Sequence, residues 1–152
     1  MNRHKLSIFL LVGVDLLFLA SCGVNTKDWP KIELDFESEN VSLANTCYER
    51  NKNDYVDYLN DEINLKTSGD ILELIEIIEC FPIKKETEKN VNTTSYAVKI
   101  DITFVFNEAY KNNVEKIIFF RYGISDSKVV LNNGDIHYLP GRIDIIYENF
   151  IK

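Results

Sequence analysis

The chain is poor in the residue types on which most recognisable catalytic and ligand sites depend. It contains 6 glycines, 3 cysteines and 2 histidines among 152 residues. It has no glycine-rich phosphate loop, and no nucleophile-elbow glycine pattern surrounds any serine. Zinc and copper sites need several His or Cys ligands, which this composition does not supply. We therefore expect no metal, no cofactor and no enzymatic activity.

Long apolar runs are also lacking, and the only extended one lies at the N-terminus, at residues 6–20. A membrane-spanning helix needs about 20 apolar residues, and Asp15 interrupts this shorter run near its middle. Basic residues precede the run at positions 3–5, and small residues follow it at positions 20 and 21. This order is typical of a secretory signal peptide. We predict that residues 1–21 are removed.

The end of the run carries a more specific signal. The stretch Leu19-Ala20-Ser21-Cys22 resembles the lipobox of bacterial lipoprotein precursors. The resemblance implies that Cys22 receives a diacylglycerol, that cleavage occurs just before it, and that residues 22–30 form a lipidated tether. Two or three acyl chains would give stable anchoring. The resemblance also implies a cell-envelope location, with Gly23 favouring the outer membrane in a diderm bacterium. The alternative is a free cysteine in an ordinary leader.

Charge of one sign is in excess. Without residues 1–21 the chain keeps 15 basic and 23 acidic side chains, a formal net charge of −8. Such a surface disfavours nucleic acid, whose binding depends on neutralising phosphates, and it disfavours adsorption to anionic lipid. It is compatible with a cationic protein partner, because complementary charge speeds encounter. It is equally compatible with a role in solubility alone.

Beyond Cys22, two cysteines remain, Cys47 and Cys80. Export to an oxidising compartment favours a disulfide between them, and two buried free thiols are the alternative.

The one histidine after the leader, His137, could serve as the base of a hydrolytic triad. Because it alternates with Ile136 and Tyr138, we expect it on the polar face of a strand instead.

The first half of the mature chain has an uneven pattern. Residues 31–38 alternate apolar and acidic side chains, which predicts a half-buried strand with an acidic edge at Glu33, Asp35 and Glu37. Helical spacing predicts a helix near 52–64, whose Asn/Asp density fits a solvated face better than a calcium loop. A buried helix is predicted over 70–81, ended by Pro82. Its acidic side is interpreted as solvated rather than catalytic and comprises Glu73, Glu76 and Glu79.

The second half predicts a run of strands. Strict alternation over 96–106 indicates a strand, and residues 114–122 follow as a strand that is apolar on both faces and therefore central. Residues 128–131 and 136–139 flank Asn133-Gly134, a typical tight hairpin. After Pro140, an amphipathic closing helix is predicted from apolar positions at Ile143, Ile146, Tyr147 and Phe150.

Together these elements predict one α+β domain over 31–152. An antiparallel sheet of four to five strands would be packed by two or three helices, because the helices must cover one face.

Three functions remain open: a lipid-anchored binder of a protein partner, of the inhibitor or immunity type; a structural or assembly accessory of the envelope; and a carboxylate-based glycan hydrolase, which would need two acids across a cleft.

Overall fold

The computed structural model describes residues 24–51, 59–88, 90–123 and 126–150. Within these residues a single antiparallel sheet has seven strands in the spatial order β2-β1-β4-β5-β6-β7-β3. The strands are β1 (Val41–Arg50), β2 (Leu59–Leu65), β3 (Lys84–Lys85), β4 (Val98–Phe106), β5 (Val114–Arg121), β6 (Ser127–Val130) and β7 (Ile136–Leu139). The described helices are α1 (Ser68–Glu79) and α2 (Ile145–Glu148), with a 3-10 turn at Ser38–Asn40. The domain is α+β but mostly sheet.

The four predicted strands of the second half form the meander β4–β5–β6–β7. β5 is the middle strand of the seven, as its apolar pattern predicted. The β6–β7 hairpin turns through Gly134, whose φ is +86°. Glycine adopts this left-handed conformation without steric cost, which explains why an Asn-Gly pair marks the turn.

The core lies between one face of the sheet, here called the inner face, and α1. β4 alternates strictly, and its inner-face residues are almost fully buried: Val98, Ile100, Ile102, Phe104 and Phe106. Helix α1 buries Ile71, Leu74 and Ile78 against them, as its periodicity predicted. Its N-terminus is capped by Thr67, whose hydroxyl accepts from the Asp70 N–H.

The prediction of four to five strands is wrong because three strands were not predicted: β1 and β2, within residues 40–66, and the two-residue β3. The inner-face residues of β1 include Ala44, Thr46 and Tyr48, which are too small or too polar to show a hydrophobic alternation. In β2, Leu59 and Ile63 are four residues apart, a spacing that fits a helix turn and a strand face equally well. The predicted helix near 52–64 is therefore wrong over 59–64, and residues 52–58 lie outside the described residues.

The predicted strand at 31–38 is also wrong, although its alternation of buried and exposed residues is correct. Ile32 and Phe36 are buried, but the segment forms only an isolated bridge between Lys31 and Pro82. The Leu34 N–H donates to the Glu79 carboxylate at 3.0 Å instead of to a strand. The segment thus lies along the C-terminal end of α1 and does not join the sheet.

The closing helix is shorter than predicted. Ile143, Ile146 and Tyr147 are buried, but the helical turn spans only Ile145–Glu148. Pro140 does not start the helix, because Gly141 follows it with a φ of +113°. The chain therefore reaches the core as a bent segment with one helical turn.

The predicted disulfide is not formed, because Cys47 and Cys80 are free. Successive side chains of a strand point to opposite faces. Tyr48 belongs to the core, so its neighbour Cys47 lies on the outer face, paired with Glu62 and Asp101. Cys80 ends α1 within the core. The sheet separates the two thiols.

This arrangement predicts unequal thiol reactivity without prior reduction. Cys80 is 1% exposed and should resist alkylation in the native protein. Cys47 is half-buried, and burial together with the nearby Glu62 carboxylate raises the pKa of its thiol, so its labelling should be slow but complete. Mass spectrometry after timed iodoacetamide treatment measures both. Equal protection of the two thiols until a reductant is added would contradict this assignment.

None of the helices in the described part of the chain is long and apolar enough to cross a membrane. The predicted signal peptide and Cys22 lie outside the described residues. Trp29, near the end of the predicted tether at residues 22–30, contacts the ring of Tyr138 at a centroid distance of 6.0 Å.

Candidate binding cleft

A cleft lies at one edge of the sheet, where two turns of the meander meet. Strands β4 and β6 each pair antiparallel with β5, so their C-terminal ends lie at the same edge. The β4–β5 turn and the β6–β7 turn therefore project from one side. The extended segment at 33–35 lies beside them, because the Tyr110 hydroxyl donates to the backbone oxygen of Asp35 at 3.1 Å.

The cleft has a volume of about 290 Å³ and a mixed lining. Its apolar wall includes Phe106, which is buried in the core, and Leu34 and Leu131, which pack against the core. Polar lining comes from three carboxylates, one ammonium and three amides: Glu33, Asp35, Glu115, Lys111, Asn112, Asn132 and Asn133. Negative charge therefore exceeds positive charge in the cleft.

The single cation of the cleft is already engaged. Lys111 Nζ lies 2.6 Å from Asp35 Oδ2, and this bond lowers the pKa of Asp35 and raises that of Lys111. Lys111 has a φ of +40°, a conformation that few non-glycine residues adopt. Its ammonium also lies 5.6 Å from the ring centroid of Tyr110. The turn thus holds a positive charge at the mouth of the cleft.

Glu115 behaves differently from Asp35. Burial is the main cause that raises the pKa of Glu115, and the neighbouring Asp35 carboxylate acts in the same direction. Lys111 opposes this shift only weakly, as the smallest of the three contributions. Among the described residues, the Glu115 carboxylate has no salt bridge within 4.0 Å. A half-buried carboxylate beside an apolar wall is left without a matching cation.

The predicted acidic edge is divided by the structure. Glu33 and Asp35 line the cleft, whereas Glu37 lies outside it and precedes the 3-10 turn. The sequence reading missed Lys111 and Glu115. The antiparallel order of the meander could have indicated their location from the sequence. It brings the Asn-rich turns at 107–113 and 132–135 to one edge of the sheet.

The other candidate residues do not form a site. His137 lies opposite Val129, which is fully buried, so it occupies the inner face and not the predicted polar face. The correction follows from the register, since Ile136 and Tyr138 take the outer face. Its Nδ1 atom is buried and has no hydrogen-bond partner among the described residues, so no acid orients it as a triad requires.

His137 should nevertheless make stability depend on pH. Burial lowers its pKa below the ordinary value, Lys85 acts in the same direction and Asp135 opposes. The unfolded chain then binds the proton more readily, so stability is full above about pH 6.5 and falls as the pH decreases through the folded-state pKa. Urea unfolding at pH 7.5, 6.5 and 5.5 should show this fall, and His137→Gln should reduce it. An identical pH profile in the variant would contradict the assignment.

The carboxylates on α1 have structural roles. Glu79 accepts from the Leu34 N–H, and Glu73 accepts from the Asn149 amide at 2.7 Å. They tie neighbouring segments to the helix, so the predicted solvated face is only half-exposed. No group of three or more potential metal-ligating side chains is found among the described residues.

Comparison of the chain with protein-family models, with curated proteins and with solved structures gives no match.

Proposed function

We propose that this chain is a lipid-anchored protein of the bacterial cell envelope that binds a cationic protein partner and performs no catalysis. The location rests on the lipobox-like stretch that ends at Cys22. The binding role rests on one structural observation: a cleft in which three carboxylates face a single ammonium. An inhibitor or immunity protein would use such a site to hold a basic envelope-targeting protein.

The proposed geometry relates the anchor to the cleft. A tether over residues 22–30 spans at most about 30 Å when fully extended. Glu33 and Asp35 follow it closely in sequence, so a bound partner would be held near the membrane surface. A net charge of −8 on the mature chain would steer a basic protein toward this surface, and salt would weaken the steering over a Debye length of about 8–10 Å.

The anchor has a direct test. Cys22→Ser should abolish acylation and cleavage, since the thiol is the atom that would carry the lipid. We expect an uncleaved precursor that stays in the aqueous phase on detergent partitioning, with palmitate labelling lost. Cys47→Ser is the matched control and should leave processing unchanged. A mature-sized, detergent-partitioning product of Cys22→Ser would refute lipidation at this residue.

The partner has a second test, which uses charge reversal. The immobilised full-length chain in detergent micelles is exposed to secreted and envelope proteins of its source, and binding kinetics of the retained protein are measured. Association should slow markedly between low and physiological salt, while dissociation changes less. Glu33→Lys should slow association further. Glu37→Lys, also at an exposed position but outside the cleft, should do so much less.

A glycan hydrolase is the second candidate, because two cleft carboxylates have pKa values displaced in opposite directions. Such a difference can separate an acid from a base. The small volume and the Lys111 ion pair at Asp35 favour binding over this role. Steady release of peptidoglycan fragments by the purified chain, lost in Glu115→Gln, would establish hydrolysis and overturn the binding proposal. A structural accessory would instead give an envelope defect on deletion without any tight partner.

A further inference from the structure

The cleft combines three features that a long basic side chain requires. It has an apolar wall for the stem, at Leu34, Phe106 and Leu131. It also has a half-buried carboxylate, Glu115, for which the described residues supply no matching cation, and an exposed pair of acids at its mouth, Glu33 and Asp35. Lysine and arginine bury their methylene stems on apolar surface while the charge remains near polar groups.

The size of the cleft limits what can enter it. Pockets that bury drug-sized ligands have volumes of about 300–1,000 Å³, and this cleft, at about 290 Å³, lies just below that range. One side chain therefore fits it better than an extended ligand. Its location between three chain segments is suited to a protein loop that inserts a single residue.

The protein already has one basic side chain, that of Lys111, bound to an acid of the cleft. Lys111 brings an ammonium to the mouth, with Nζ 2.6 Å from Asp35 Oδ2 and 3.4 Å from the Asp35 backbone oxygen. Its left-handed backbone conformation has a local energetic cost. The ion pair with Asp35 therefore forms in spite of backbone strain at Lys111. Lys111 satisfies Asp35 but not Glu115. The internal cation thus fills one of the acidic positions and leaves the deeper one open.

Resting on the proposed function, we propose that the cleft is the recognition pocket for one basic side chain of the protein partner. Its stem lies along Leu34, Phe106 and Leu131, and its charge is bound by Glu115 and Glu33. Lys111 competes with the incoming charge at Asp35, so it sets an upper limit on affinity. Loss of Glu115 and loss of Lys111 should therefore change binding in opposite directions.

The test uses the peptide acetyl-Ala-Arg-Ala-amide as probe and the full-length 15N-labelled chain in detergent micelles. We expect saturable amide shifts confined to residues 33–35, 111–115 and 131–133. Citrulline in place of the arginine keeps length and shape but removes the charge, and it should abolish the shifts. Glu115→Gln should weaken binding at least about tenfold, the effect of a charged hydrogen bond. Glu108→Gln, an exposed change in the same turn but outside the cleft, is the matched control.

The peptide affinity of a Lys111 variant distinguishes competition in the cleft from a merely structural role of this lysine. Lys111→Gln should strengthen peptide binding several-fold, because it frees Asp35 and removes a repelling charge. Equal binding of the citrulline peptide, unchanged binding by Glu115→Gln, or weaker binding by Lys111→Gln would each overturn the assignment. If an envelope partner binds but neither Glu115→Gln nor the arginine peptide affects the complex, the cleft assignment fails while the proposed function stands. If the peptide saturates the cleft and no envelope partner is found, the cleft assignment stands and the proposed function fails.

Discussion

Replacement of Asp144 by alanine should lower the free energy of unfolding by about 3–5 kcal/mol, because it removes the carboxylate that forms an ion pair with the buried Arg121 guanidinium. Arg121 Nε lies 3.2 Å from Asp144 Oδ2, with the two side chains 10% and 7% exposed. The contact is an ion pair rather than an aligned hydrogen bond. A domain of this size has a total stability of about 5–15 kcal/mol, so the variant should be close to unfolding. Urea unfolding followed by circular dichroism measures the change.

Two controls separate the buried charge from ordinary loss of a contact. Glu148→Ala breaks the exposed Arg142–Glu148 pair, which has side chains 60% and 53% exposed, and should cost only about 0–1 kcal/mol. The double change Asp144→Leu with Arg121→Met removes both charges and should cost less than Asp144→Ala alone. A double variant as unstable as the single one would show that packing, and not the broken ion pair, accounts for the loss.

The same carboxylate joins the closing segment to the sheet. The Tyr48 hydroxyl donates to Asp144 Oδ1 at 3.2 Å, and the rings of Tyr48 and Tyr147 stack at a centroid distance of 4.0 Å. The Tyr147 hydroxyl in turn donates to Asp61 on β2, and burial raises its pKa to about 12. Asp144 occupies the position before α2, but its side chain makes no capping bond there. Its carboxylate contacts Arg121 and Tyr48 instead.

The sequence predicts those parts of the fold in which hydrophobic period and backbone pairing agree. The meander and α1 are correct because their inner positions carry large apolar side chains, as at Ile100 and Leu74. The pattern fails in β1, where Thr46 occupies an inner position at 2% exposure. Alternation also fails to distinguish a strand from an extended segment. Residues 31–36 show the strand period, yet their backbone partners include the side chain of Glu79.

The candidate cleft is predictable in part, because its residues come from segments far apart in sequence. Glu33 and Asp35 are identified by alternation alone. Glu115 is not, because its importance depends on the approach of Asp35 and on the apolar wall beside it. The strand register also determines which face of the sheet Cys47 and His137 occupy. A one-residue change in phase moves a side chain to the other face, so Cys47 faces away from Cys80 and His137 lies beside Val129.

Phe119→Ala should also lower stability by about 3–5 kcal/mol, through the lost transfer free energy and the cavity that remains. Phe119 is fully buried on the middle strand, and its ring lies 5.5 Å from that of Phe81 at the end of α1. This contact joins the helix to the sheet, and the fully buried cross-strand neighbours Ile100 and Val129 leave little freedom for the cavity to collapse. The midpoint of urea unfolding should fall with little change in slope, since the surface exposed on unfolding stays similar.

Phe150→Ala is the matched control, with the same chemical deletion at a site that is only partly buried. Phe150 packs against the edge of the core near the end of the described chain, where neighbouring groups can relax into the space. Its loss should cost about 1–2 kcal/mol, in proportion to the smaller apolar area removed from water. Equal costs at the two positions would mean that the closing segment packs as tightly as the middle strand, contrary to the burial described above. An unchanged midpoint in Phe119→Ala would contradict the placement of β5 at the centre of the sheet.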